Sequence, residues 1–167
     1  TLYSPAASGQ LVGAESSTVE WKGLKGTAWQ SAQFDKLRLN VSMPKLHLSA
    51  AKIDTPNSIG FSDMSYGADM AKGASKMWSG KYRVDIGSMN ANITDKKGIN
   101  TTINIDTITT YGEQSESNGL AQGSGVIKSR RITINEFSMT DVTYDVAVEN
   151  IDVKAIMGMQ AAMQEMV

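Results

Sequence analysis

Val84-Asp85-Ile86-Gly87-Ser88-Met89 sets a pattern that the chain repeats three times. It returns as Ile103-Asn104-Ile105-Asp106-Thr107-Ile108, as Ile132-Thr133-Ile134-Asn135-Glu136-Phe137 and as Val146-Ala147-Val148-Glu149-Asn150-Ile151. Two apolar residues at spacing two share one face of a β-strand. The polar pair that follows puts the next apolar residue out of phase, and a bulge or bend would return it to the same face. The pattern predicts strands kinked at a recurring place. Val84, Ile86, Ile103, Ile105, Ile132, Ile134, Val146 and Val148 are then expected to face one core, and Ile134→Ala to cost about 2–5 kcal/mol. This is scaffold, not reaction chemistry.

The 167 residues suit one domain with a core of its own. With no cysteine there is no disulfide or thiolate site, which fits the cytosol and the periplasm equally. A net charge of −1 gives no global field that would favour nucleic acid, and no nucleic-acid partner is expected. Residues 1–60 hold six Lys/Arg to four Asp/Glu, whereas 141–167 hold five acids and only Lys154. That asymmetry reads as two solvated faces of unlike charge rather than a docking surface. No apolar run is long enough to span a membrane. The sequence opens at Thr1 with neither Met nor signal peptide, as a processed protein or a segment of a longer one would.

Residues 1–17 are small and polar and read as a lead-in or an edge strand. Val19 to Trp29 reads as a hairpin, with Gly23 and Gly26 bracketing the turn and Trp29 on the returning strand. Trp21 and Trp29 suit cross-strand packing better than a stacking platform for a ligand. Leu37, Leu39, Val41 and Met43 alternate with polar residues. Pro44 then breaks the ladder, having no N–H to donate, and Leu46 and Leu48 resume on the shifted phase. His47 points away from those leucines. It is the only histidine, with no second imidazole to share a metal.

Thr55-Pro56-Asn57 reads as a turn. After it, Met64, Ala68, Ala71 and Trp78 fall at helical spacing behind a Ser62 cap, and predict a helix or an irregular crossover. Lys96-Lys97-Gly98 predicts a tight hairpin. Tyr111 to Gly125, polar and glycine-containing, predicts a long mobile loop and the first internal site of proteolysis. Val126 to Val153 reads as nearly continuous strand, turning near Asn135-Glu136 or Asp141.

At the C-terminus Asp152 reads as an N-cap for Val153 onward. Ile156, Met159, Met163 and Met166 then form a stripe on one helix face, a possible interaction surface because unbranched Met side chains adapt to a partner. A helix of about four turns is too short to be stable alone. Three uses are open to the stripe: docking on its own sheet, docking on a second copy, or leaving an open groove for an apolar ligand.

A search for catalysis finds little. A Ser–His–acid triad would have to use His47, which no glycine-rich nucleophile turn accompanies. No phosphate loop is present, and Gly119 to Gly125 has no helix after it. Asp141 and Asp145 are paired carboxylates in sequence, but spacing does not place them in a cleft. No catalytic residue, cofactor or metal site is expected. Asn40, Asn92 and Asn100 open glycosylation sequons of a kind common by chance in Asn/Thr-rich strands.

Val19-Glu-Trp-Lys-Gly-Leu-Lys-Gly resembles the Trp-x-Gly-Leu-x-Gly hairpin of the YdgA-like proteins of Gram-negative bacteria. Trp78-Ser-Gly-Lys is similar to their Leu-Trp-x-Gly segment, with Met77 where the family often has Leu. Asn150-Ile-Asp-Val-Lys-Ala-Ile is similar to their entry to a helix. The resemblance runs in order over most of residues 18–160. It implies a bacterial envelope protein of unknown function, periplasmic and anchored to the inner membrane by a segment outside this chain. The kinked-strand pattern also resembles, at pattern level, the AsmA-type envelope proteins that form grooves for lipids.

The expected fold is α+β and β-rich: a curved, mostly antiparallel sheet with kinked strands and a C-terminal helix packed on one face. Residues 1–167 would be a single domain of a longer periplasmic chain. The expected role is a non-enzymatic structural or protein-interaction module of the envelope, with a protein partner or self-association. The alternative is binding or transfer of a lipid or other hydrophobic ligand in a sheet groove.

Overall fold

The computed structural model describes residues 1–10, 17–52, 55–95, 97–156 and 158. Ten strands form one antiparallel sheet: β1 (Leu2–Ser4), β2 (Ala7–Gln10), β3 (Ser17–Trp21), β4 (Leu24–Gln30), β5 (Lys36–Lys52), β6 (Thr55–Lys72), β7 (Trp78–Thr94), β8 (Asn100–Ser117), β9 (Leu120–Ile134) and β10 (Phe137–Asp152). From β5 to β10 each strand pairs with its successor in the chain. A helical turn at residues 153–156 follows. As expected, Asp152 caps it, its Oδ1 accepting the Lys154 N–H at 2.8 Å. Met159, Met163 and Met166 lie outside the described residues.

Alternation sorts each strand into an apolar and a polar side. Trp21, Leu46, Phe61, Met89, Ile105, Ile132 and Met139 are successive partners across the sheet. A second such line is Val19, Leu48, Ile59, Ala91, Ile103, Ile134 and Phe137. The line between them is polar or glycine throughout: Glu20, His47, Gly60, Asn90, Asn104, Thr133 and Ser138. His47 therefore lies on the polar side with Glu20, opposite the leucines, as the alternation predicted.

One transverse line divides the sheet. Pairings stop and resume in unchanged register around Pro5, Gly23, Pro44, Asp63, Gly87, Thr107, Arg130 and Asp141. Alternate members are left-handed: Gly23 (φ 91°), Asp63 (φ 50°), Thr107 (φ 56°) and Asp141 (φ 53°). Two of the chain's prolines stand here, where a missing N–H removes no ladder bond. Beyond the line the apolar phase changes from odd to even residues in β5, and from even to odd in β7.

Several expectations are corrected. The predicted hairpin from Val19 to Trp29 is absent: β3 and β4 lie end to end along β5, on Leu46–Ala50 and on Leu37–Ser42. Trp29 therefore pairs with Arg38, whose guanidinium lies 5.8 Å from the indole centroid, and not with Trp21. The predicted helix after Ser62 is strand β6. Tyr66, Ala68 and Met70 repeat at period two and meet Val41, Leu39 and Leu37, and cross-strand burial overrides a helical spacing already weakened by Gly67 and Gly73. Thr55-Pro56-Asn57 begins that strand and is not a turn. Asp141 holds no turn either; β10 runs through it.

The predicted mobile loop from Tyr111 to Gly125 is the paired body of β8 and β9. Only Asn118-Gly119 turns, with φ of 53° and 75°, the both-positive geometry of a two-residue hairpin that Asn-Gly favours. The described residues also form no closed core. Among described apolar residues only Ala91, Ala121 and Val153 are buried. The residues expected to face one core lie instead on an open sheet.

Candidate functional site

The half of the sheet that carries β4 also has an apolar side. Val41, Tyr66, Val84, Thr110, Ile127 and Tyr144 form one line of partners, and Leu39, Ala68, Tyr82, Gly112, Gly125 and Val146 the next. Toward β10 this side opens into a groove of about 650 Å³, lined by Trp78, Tyr82, Ile127, Val146, Val148 and Ile156 among others. The volume is within the range of small-molecule sites. Ile127, Val146 and Val148 are each about two-fifths exposed, at 44%, 41% and 42%.

Gly123 and Gly125 lie in the floor, and Gly112 is the β8 partner of Gly125. A Cβ on Gly112 would come within 2.8 Å of the Tyr82 hydroxyl and 2.6 Å of the Ser124 carbonyl. Absence of a side chain there lets Tyr82 lie across β8, its hydroxyl also 3.5 Å from the Cβ position of Gly125. One wall is the loop between β6 and β7. Its Gly73 N–H donates to Met77 O at 2.9 Å. Glu116 of β8 clamps the loop by accepting from the Ser75 hydroxyl at 2.5 Å and the Ser75 N–H at 3.2 Å. Gln114 donates to the Trp78 carbonyl. Lys76 and Trp78 are thereby held at the mouth, and Lys72 Nζ sits 5.1 Å over the Trp78 ring.

The other end is closed by the start of the C-terminal helical turn. Val153 is 2% exposed and donates its N–H to Gly119 O at 3.0 Å. This seats Ile156, the one described residue of the predicted Met stripe, in the groove lining. Sequence reasoning missed the rest of the site because its clamp residues, Gln114 and Glu116, looked like loop. The Asn118-Gly119 dipeptide was the available signal.

The polar side is a lattice of short contacts. Arg83 donates to Asp85 at 2.7 and 2.8 Å, and Thr109 donates to the same carboxylate at 2.8 Å. The Arg83 hydrogen bonds, with help from Thr109, hold the Asp85 pKa below the ordinary carboxylate value. Glu20 is likewise lowered, first by Lys45 and then by Lys22. Asp141 and Asp145 lie on exposed β10 and do not line the groove. Among the described residues no three His, Asp or Glu side chains gather as a metal set. No described helix is long and apolar enough to cross a membrane, which says nothing of spanning by strands.

Fold and groove define an open, two-faced antiparallel β-sheet protein with an apolar channel on one side. The chain belongs to DUF945, a family of bacterial proteins of unknown function, whose model matches residues 2–167. No curated protein and no solved structure matches the chain.

Proposed function

We propose that the apolar side of the sheet binds a hydrophobic ligand of acyl-chain type, without catalysis, in the bacterial envelope. The groove floored by Gly123 and Gly125 and lined by Tyr82, Ile127, Val146 and Val148 carries this reading. A concave apolar surface bordered by polar residues is the ordinary form of a ligand site. Lys76 at the mouth suits an anionic headgroup. The transverse line from Pro5 to Asp141 acts in this reading as a crease that kinks the strands and curves the sheet. It would turn the apolar lines of both halves toward one concavity.

The resemblance to YdgA-like proteins supports the same placement: a periplasmic domain, held to the inner membrane by a segment outside this chain. A purely structural or interaction role, the other expectation from the sequence, has its best support at a different surface, the edge of β10.

Titration with a fluorescent fatty acid tests the reading, using Ile127→Glu/Val148→Glu as the comparison. Both side chains are partly exposed, so the variant should fold. Saturable uptake by the parent chain, weakened about tenfold or more in the variant, is expected, since a buried carboxylate penalises an acyl chain. Equal uptake by both chains, or none by the parent, overturns it.

A further inference from the structure

β10 is an open edge. Among the described residues it pairs only with β9, and every one of its residues is exposed except half-buried Val142. Natural sheets blunt such edges with Lys, Pro, bulges or a cover. β10 has no Lys, Arg or Pro, and its bulge comes only after Val148. Val142 to Val148 therefore presents an uninterrupted row of backbone donors and acceptors.

The side chains say what would fit. Tyr144, Val146 and Val148 lie on the apolar side, and Asp145 on the polar side with Thr143 and Ala147. Asp141 and Glu149 flank this stretch. None of the three acids enters an ion pair among the described residues. A second copy of β10 is a poor partner, because it would bring acids against acids with no cation on either strand. The opposite edge of another copy, β1 and β2, offers no cation either.

We propose that β10 docks an extended segment of another protein by strand addition, a segment in which Lys or Arg alternates with apolar residues. Main-chain hydrogen bonds would hold it, and the alternation would set register and specificity. The proposal does not depend on the groove reading.

A peptide alternating Lys and Val, and its Glu and Val counterpart, serve as probes against the full chain at low salt. Affinity is read by anisotropy and location by hydrogen exchange of the β10 amides. The basic peptide should bind saturably and protect Val142 to Val148. Asp145→Lys/Glu149→Lys should weaken it about tenfold and favour the acidic peptide. Equal binding of both peptides, protection elsewhere than β10, no binding, or a chain that already dimerises with these amides protected would each overturn the proposal.

Discussion

The Tyr82 hydroxyl lies 2.8 Å from where a Cβ on Gly112 would stand, so Tyr82 keeps its place in the groove lining only while residue 112 lacks a side chain. The added methyl would also meet the Ser124 carbonyl at 2.6 Å, and that atom is backbone and gives little. Gly112→Ala should therefore cost about 1–3 kcal/mol as overpacking. Gly123→Ala, whose nearest contact is 3.3 Å, should cost less. Urea midpoints of the two variants that coincide would show that Tyr82 is not held as described.

Residues 111–125 are strands joined by a two-residue turn, so limited proteolysis should spare them. Gly119→Val should change this, because a β-branched residue at φ 75° is strained by about 1–2 kcal/mol. Cutting within 111–125 of the parent chain at native conditions would contradict the pairing of β8 with β9.

Ile134→Ala should be milder than the repeat pattern suggests. Ile134 is 39% exposed and lies at the turn end of β9. A loss of about 1 kcal/mol is expected. Ile105→Ala, flanked by Met89 and Ile132 on neighbouring strands, should cost more. Chemical denaturation of both variants gives the order, and the reverse order would refute the open-face description.

Acid should remove one small stabilising contact on the polar side. The folded-state pKa of Asp85 is lowered, so the unfolded chain takes up its proton first as pH falls. Its contribution is complete above the ordinary carboxylate range and disappears as pH drops through the depressed value. Asp85→Asn should flatten the acid limb of stability against pH while leaving its neutral slope alone. Urea midpoints from neutral pH down to about 2 would reveal an unchanged acid limb if Arg83 were not its partner.

Much of the sheet was legible from period-two alternation, since Leu37 to Met43 and Ile103 to Ile105 can bury only one side. The turn at Asn135-Glu136 was legible as well, and β9 and β10 do meet there. What escaped was the meaning of the other polar pairs: Asp106-Thr107 interrupts pairing within a strand, whereas Glu149-Asn150 is a bulge. A left-handed residue serves all three uses, Thr107, Asn135 and Asn150 in turn. Local sequence therefore did not distinguish the interruption from the bulge. Small and polar strands also hid themselves. Met64 to Met70 and Gln114 to Gln122 earn their conformation from neighbours on both sides, and tertiary pairing of that kind leaves little trace in propensity. The groove was unreadable for the same reason: its floor is glycine, and its clamp is glutamate and glutamine.

From β5 onward every strand lies beside the one synthesised just before it. Such a chain need not wait for its far end. Each new hairpin can zip onto a finished margin, paying only a short loop-closure entropy, so the sheet can grow by accretion in the direction of translation. At every stage of such growth the newest strand is the one with an unpaired margin, the position that β10 holds among the described residues.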